Sequence, residues 1–204
     1  PKKLKLSIFS SLTLTYKNMT ENKFICLIVF FLLCQNIVAQ KKTTTIHILN
    51  ADRADYDERL GKDVQRLIGN VVMRQDSTYF YSDSAYYNEK TKFFDGFGNV
   101  HVKVNDSTDI YSRLLKYNGE TKFAELFHDV ILKDDSTTLR TQYMTYDRVA
   151  HLATYPDNGT ITRNDKKLVS RKGYYRDDIK VDYFRKDVVG TMPDYKIVSD
   201  TLVY

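Results

Sequence analysis

The chain repeats itself about every thirty residues, and this period limits the possible folds more than any other feature. An apolar residue opens each copy, at Phe80, Ile110, Leu139, Leu168 and Ile197. A small hydroxyl residue follows two positions later, at Ser82, Ser112, Thr141, Ser170 and Ser199. A tyrosine comes five positions after that, at Tyr87, Tyr117, Tyr146, Tyr175 and Tyr204. One unit buries too few apolar side chains, at about 1.5–3 kcal/mol each, to offset about 1–2 kcal/mol of backbone ordering for every residue. The units must therefore stack against one another.

Each unit also contains a first strand with an alternating pattern. The segments GNVVMRQ at 69–75, GNVHVKV at 98–104 and HDVILKD at 128–134 follow one another at intervals of 29 and 30 residues. In the second segment, Val100 and Val102 share one face and His101 and Lys103 share the other, which is the period of a β-strand. Glycine, asparagine and aspartate mark the connections, so we expect the GNV and DST segments to be turns into strands. The sequence predicts an all-β fold.

The second strand of each unit predicts a bend. Phe80 and Ser82 share one face, but the next apolar positions, Ala85 and Tyr87, fall on the other. A strand that buries both sets must bend or bulge between them. The bend recurs in every unit, so it would wrap the strands around a corner and make two facing sheets.

Residues 1–40 differ in character from the rest. Met19 begins a segment with a basic residue, an apolar run of eleven residues at 24–34 and the ending NIVAQ, which predicts a secretory signal peptide at 19–40. An uncleaved membrane anchor is the alternative. Residues 1–18 are interpreted as upstream read-through or an artefact, and 41–204 as one repeat domain that stops within its fifth copy. We expect that domain to be truncated at its C-terminus, or its last edge to be paired by another molecule.

The leader also accounts for the basic charge. It holds five of the 31 basic residues, one of the 26 acidic residues and both cysteines, so residues 41–204 carry a net charge of +1. A concentrated positive surface for nucleic acid is therefore not expected. The exported domain would have no disulfide bonds.

The segment ADRADYD at 51–57, the two GNV segments and the Ser-x4-Tyr columns resemble the OstA-like family, which includes the lipopolysaccharide-transport protein LptA. The resemblance covers about 46–204 and looks like the version found in Bacteroidota. It implies a twisted β-jellyroll of antiparallel strands that forms a V-shaped trough for lipopolysaccharide in the periplasm, joined end to end with similar domains. Association with the outer membrane is part of that expectation. No cofactor or metal is expected.

The inward-facing positions are the candidate lining for the acyl chains. They are Val71, Phe80, Val100, Val102, Ile110, Val130, Leu132, Leu139, Leu168 and Ile197. Four equivalent residues of the third strand are candidates to join them: Phe93, Phe123, Leu152 and Val181. The alternative for all of these is the core of a closed sandwich without a ligand. The tyrosine column is interpreted as structural, with a buried ring and a hydroxyl that reaches the edge.

No enzyme is predicted. The four histidines, His47, His101, His128 and His151, lie in separate units without ligand spacing. The acid pairs at 134–135 and 177–178 lie in turn contexts and are predicted to be loop residues. A β-helix lyase or hydrolase would display a uniform column of acids or bases, but the outward column changes in character along the chain. It consists of Asp83, Arg113, Gln142, Arg171 and Asp200. An exported structural or adhesive repeat protein with a closed core remains the alternative function.

Overall fold

The computed structural model describes residues 45–56, 59 and 61–204. The predicted segments 1–18 and 19–40, and the first four residues of the repeat domain, lie outside the described residues. Fourteen strands follow one another in the described part: β1 His47–Asn50, β2 Arg53–Tyr56, β3 Val64–Gln75, β4 Thr78–Asn88, β5 Phe93–Lys103, β6 Thr108–Asn118, β7 Phe123–Asp134, β8 Thr137–Asp147, β9 Leu152–Tyr155, β10 Gly159–Arg163, β11 Lys166–Ser170, β12 Lys172–Arg176, β13 Val181–Thr191 and β14 Lys196–Val203. The prediction of an all-β fold is confirmed.

The strands form one antiparallel sheet in which β3 to β8 pair consecutively, as hairpins. From β8 onward some strands are divided at the corner. β8 pairs with β10 along its first part and with β9 along its second. β13 pairs with β12 along its first part and with β11 along its second. Every unit therefore contributes to two half-sheets on either side of a common bend.

We call the two sides of this bend the first and the second half-sheet. The first contains β1, β10, β11, residues 71–75 of β3 and the corresponding parts of the other long strands, and its strands end at turns such as that between β3 and β4. The second contains β2, β9, β12, residues 64–68 of β3 and the corresponding parts of the other long strands. Its strands end at the loops between β4 and β5, β6 and β7, β8 and β9, and β12 and β13.

The bend is built from β-bulges in alternate strands. Two consecutive residues with positive φ interrupt the pairing register of each such strand: Gly69 and Asn70, Gly98 and Asn99, His128 and Asp129, and Lys186 and Asp187. The predicted change of parity is confirmed, because Ser82 and Ala85 lie on either side of this irregularity. The prediction that Gly69 and Gly98 begin strands is wrong. Both lie inside long strands, and a left-handed residue pair has the local sequence of a turn whether or not the strand continues.

The inner faces of the two half-sheets pack against each other as one apolar core. Val100, Val102 and Leu132 contribute from the first half-sheet, and Leu126 and Phe184 from the second, all at 2% exposure or less. Four members of the tyrosine column are buried in the second half-sheet, and Tyr204 is half-buried at the edge. The structural interpretation of these rings is therefore confirmed.

Candidate functional site

The outward column at the corner has a structural cause. One residue of each bulge contacts the side chain of the corner residue that precedes it in the sheet. The two side chains are complementary in hydrogen bonding or charge. Asn70 donates to Asp52 (3.0 Å) and Asn99 to Asp83 (2.9 Å), whereas Arg113 donates to Asp129 (2.7 Å) and Arg171 pairs with Asp187 (2.7 Å). An aspartate stands opposite asparagine and an arginine opposite aspartate. This matching accounts for Asp83, Arg113 and Arg171 in the column, and Gln142 donates to Asp129 from the following strand (3.4 Å).

The hydroxyl column serves the same corner. The hydroxyl of Ser112 donates to the carbonyl of Leu114 (3.2 Å), two residues further along the strand. Thr141, Ser170 and Ser199 make the equivalent bond at 3.3, 2.9 and 2.7 Å. A strand that bends leaves backbone carbonyls without a ladder partner, and a nearby hydroxyl satisfies them. The recurring hydroxyl therefore lies where the bend needs a donor.

Nine of the ten inward candidates lie together between the half-sheets. Val71, Phe80, Val100, Val102, Ile110, Val130, Leu132, Leu139 and Leu168 are exposed by 3% or less. The tenth, Ile197, is partly buried and packs against this core from β14, which pairs only with β13 among the described strands. The candidates thus form a continuous apolar surface, which is packed closed in this structure.

The four third-strand candidates are not part of that interior. Phe93 and Phe123 are exposed by 49% and 36%, and Leu152 and Val181 are half-buried. The next residue in each strand points inward instead: Phe94, Ala124, Ala153 and Asp182. Because side chains alternate along a strand, the four candidates lie on the outer face. The structure does not bring them together with the other ten.

Away from the bend, the strand ends of the two half-sheets meet along a seam that is closed by polar bridges. At one end, the hydroxyl of Tyr117 donates to Oε1 of Gln75 (2.5 Å), and Arg148 donates to the same oxygen (3.0 Å). Gln75 in turn donates to the carbonyl of Gly119 (2.8 Å), and Lys122 pairs with Asp76 (2.8 Å). Burial raises the pKa of Tyr117 to about 12, so its hydroxyl stays protonated and remains a donor.

A second bridge lies further along the seam. The hydroxyl of Tyr175 donates to Oδ2 of Asp134 (2.5 Å), Lys180 pairs with the same oxygen, and Thr108 donates to Oδ1 (3.2 Å). Burial, with the hydrogen bond to Asp134, raises the pKa of Tyr175. The prediction that Asp134 is a loop residue is wrong. It is the last residue of β7 and is 1% exposed, because it continues the inward parity of Val130 and Leu132.

A third bridge joins Arg163 of the first half-sheet to Asp182 of the second (2.6 Å). Lys166 donates to the hydroxyl of Tyr204 (2.8 Å), and the guanidinium of Arg163 lies over that ring. The acid Asp177 lies in the loop after β12, as predicted, but it is 6% exposed and accepts from Tyr146 (2.5 Å) within the second half-sheet. The seam residues escaped the sequence interpretation, although the two-residue period places Gln75 and Asp134 on the inward track.

The described residues contain neither a candidate metal site nor a helix that could span a membrane. Within residues 45–56, 59 and 61–204, no group of three or more His, Cys, Asp or Glu side chains could hold a metal ion. No helix in the same residues is long and apolar enough to cross a membrane.

These features define an all-β protein made of repeated bent hairpins around one continuous apolar interior. The family model described as OstA-like protein matches residues 43–200. The chain therefore belongs to the OstA-like family, and the resemblance inferred from the sequence is confirmed. No curated protein matches the chain. Among solved structures, it is similar to LptH from Pseudomonas aeruginosa, described as the LptA-homologous periplasmic component of the lipopolysaccharide transport device. That match has 13% identity, covers 78% of this chain and 96% of LptH, and has a TM-score of 0.31.

Proposed function

We propose that this protein is a periplasmic carrier that binds lipopolysaccharide and forms part of the bridge to the outer membrane. The acyl chains lie between the two half-sheets, against Ile110, Leu139 and the other buried inward candidates. Membership of the OstA-like family supports this proposal. The signal peptide predicted at 19–40 supports export, and the protein acts as a carrier rather than as an enzyme.

The observation that carries the proposal is the continuity of the interior. Each unit repeats the same cross-section, so the apolar surface runs across consecutive strands in the direction of stacking. Each buried methylene contributes about 0.8 kcal/mol, and a chain of about twelve methylenes therefore resists transfer to water by roughly 10 kcal/mol. A lipid with several chains needs such a continuous cover along its whole path.

The packed interior supports a second candidate function. Side chains such as Ile110 and Leu139 have 0% exposure, and polar bridges span the seam. An exported structural or adhesive repeat protein with a closed core and no lipid ligand would have these features. The carrier function requires the half-sheets to part, so the two functions differ in whether lipid ever contacts the interior.

Photo-crosslinking in cells distinguishes them. A crosslinking residue at Ile110 or Leu139 faces the interior, and the same residue at Lys103 faces outward from β5 and is the matched control. We expect crosslinks to lipopolysaccharide at the two interior sites and none at Lys103. Equal labelling at all three sites, or no labelling, would favour the closed repeat protein.

We further propose that the edge strands join this domain to other OstA-like domains or to a second copy. β14 carries Val198 and Val203, exposed by 73% and 57%, at an edge of the sheet. An exposed edge presents unpaired backbone groups that another strand can extend. The double variant Val198→Cys, His47→Cys carries one thiol on each of the edge strands β14 and β1 and should give disulfide-linked multimers of this chain under oxidising conditions. If only monomers form under oxidising conditions, the edge is not a joint.

A further inference from the structure

Four loops connect the strands of the second half-sheet at the seam, and they share a basic residue that is not part of the three repeat columns. They cover residues 88–93, 118–123, 147–152 and 176–181. The fifth residue of each loop is basic and has positive φ: Lys92 (56°), Lys122 (60°), His151 (52°) and Lys180 (55°). We call these four residues the basic row. Asparagine and glycine adopt this backbone conformation more readily than lysine, so turn chemistry alone does not account for the choice.

The loops hold the basic row at a regular spacing. The N–H of Gly119 donates to the carbonyl of Lys92 (2.9 Å), that of Arg148 to Lys122 (3.2 Å) and that of Asp177 to His151 (3.2 Å). Successive loops are two strands apart, and neighbouring strands are about 4.8 Å apart, so the row advances by about 10 Å per loop. It runs beside the seam in the direction of stacking, which is also the direction of the apolar interior.

The partners that now neutralise this row belong largely to the other half-sheet. Lys122 pairs with Asp76 of the β3–β4 turn (2.8 Å). Lys180 pairs with Asp134 at the end of β7 and with Asp135 of the following turn (3.5 Å). If the half-sheets part, these carboxylates leave with the first half-sheet and the lysines stay with the second.

The same separation uncovers a further cation between these lysines. The side chain of Arg148 is only 8% exposed, and its hydrogen bonds to Gln75 also cross the seam. Two acids of the same loops keep basic partners on their own side of the seam, since Asp178 pairs with Arg176 and Asp177 with His151. Glu89 and Glu120 of the first two loops offset part of the positive charge. An opened seam therefore leaves Lys122, Arg148 and Lys180 without their present partners from the first half-sheet, along one lip of the apolar interior.

We propose that the basic row, with Arg148, binds the anionic headgroup of the amphiphile whose tails enter the interior. The inference rests on the proposed function. Phosphate groups would take the place of the carboxylates of Asp76 and Asp134, because phosphate oxygens accept from lysine and arginine with similar geometry. Tails alone could not compensate the uncovered charges, so an anionic headgroup is the chemistry that an open seam selects.

The test compares lipid A, which carries two phosphates, with the same lipid after both phosphates are removed. Binding of each is measured for the wild type, Lys122→Gln, Lys180→Gln and the double variant. Glutamine removes the charge and keeps a long, polar side chain. Lys116→Gln, at an exposed site on the outer face of the second half-sheet, is the control, and Lys122→Arg keeps the charge.

We expect the wild type to prefer the phosphorylated lipid, and each glutamine substitution to reduce that preference about twofold to fivefold, as for solvent-accessible ion contacts. Affinity for the dephosphorylated lipid should stay the same or rise, because each glutamine substitution also removes a bridge that opposes opening, and Lys116→Gln and Lys122→Arg should behave as wild type. If the double variant keeps the full preference, the basic row does not bind the headgroup, whereas the proposed function survives. If neither lipid binds the wild type, the proposed function fails and this inference fails with it.

Inorganic phosphate separates a headgroup site from a general anion site. Phosphate at millimolar concentration should not displace lipid A, because the tails hold the headgroup at the row. If phosphate binds the wild type in a lysine-dependent way and displaces neither lipid, while both lipids bind equally, the row is a site for free anions and the headgroup assignment is wrong.

Discussion

Asp182 provides a quantitative test of the seam, because only one of its two carboxylate oxygens has a hydrogen-bond partner. Oδ2 accepts from Arg163 (2.6 Å), whereas Oδ1 is buried without a hydrogen-bond partner. The side chain is fully buried, and this burial raises the pKa of Asp182 to about 6 although Arg163 lowers it. The folded protein therefore holds the proton of Asp182 at pH values where the unfolded chain has lost it.

The sign of the pH dependence follows from this difference. The unfolded pKa is about 3.9, so the stabilising effect of a protonated Asp182 is complete below about pH 4 and is lost as the pH rises to about 6. A difference of about two pH units corresponds to roughly 3 kcal/mol in the free energy of unfolding. Asp182→Asn stays neutral at every pH. Relative to wild type, the variant should therefore gain about 3 kcal/mol between pH 4 and pH 7.

Urea unfolding at pH 4, 5, 6 and 7 measures this gain, followed by circular dichroism because the chain has no tryptophan. Taking the difference between variant and wild type at each pH removes the contributions of the other carboxylates. Asp178→Asn is the control, since Arg176 lowers the pKa of this exposed carboxylate and its difference from wild type should stay nearly constant between pH 4 and pH 7. A difference that does not change with pH for Asp182→Asn would show that the carboxylate is already ionised in the fold at pH 4.

Three further substitutions test the core, the corner and the seam. Leu132→Ala should lower the free energy of unfolding by about 2–5 kcal/mol because this side chain is fully buried, whereas Phe123→Ala on the outer face should cost less than 1 kcal/mol in the same urea titration. Gly98→Ala should lower the melting temperature by several degrees, because φ is +66° and the added Cβ would lie 2.4 Å from the corner carboxylate; Gly96→Ala is the comparison. Tyr175→Phe should cost about 1–3 kcal/mol by removing a donor to a buried carboxylate, and an unchanged unfolding midpoint would contradict the second bridge.

The repeat columns allowed much of the fold to be predicted from the sequence. Alternation placed Val100 and Val102 inward, and the change of parity after Ser82 predicted the corner. Both depend on side chains that recur at a fixed spacing, and a recurring apolar residue has to meet the same surroundings in every unit. The all-β class and the corner could therefore be predicted before any contact was known.

The position of the bulge could not be predicted in the same way. A left-handed pair such as Gly98 and Asn99 looks like a turn in one dimension, because turns and bulges require the same backbone conformations. Only pairing with the strands on both sides shows that β5 continues through it. The matching of Asp83 with Asn99 is likewise invisible without that pairing, since the two residues are sixteen positions apart.

The seam residues were misinterpreted for a different reason. Asp134 stands in a DDST segment, and an aspartate beside a turn is usually solvated. Its burial becomes understandable only when Tyr175 and Lys180, more than forty residues away, supply the donors that a buried carboxylate needs. Charges with distant partners are the part of the candidate site that a single sequence does not reveal.

A packed interior and a carrier function are compatible when the energies of the seam are compared with those of lipid tails. When the half-sheets part around a lipid, its tails replace the apolar contacts that the side chains lose. The polar bridges remain to be broken, and a hydrogen bond to a charged group contributes about 1.5–3 kcal/mol. The bonds of the three bridges together oppose opening by about 10–20 kcal/mol, which one twelve-methylene chain, at roughly 10 kcal/mol, does not outweigh but several such chains do. A lipid with several chains and an anionic headgroup should open the seam, because it also supplies partners for the cations left behind at Lys122, Arg148 and Lys180.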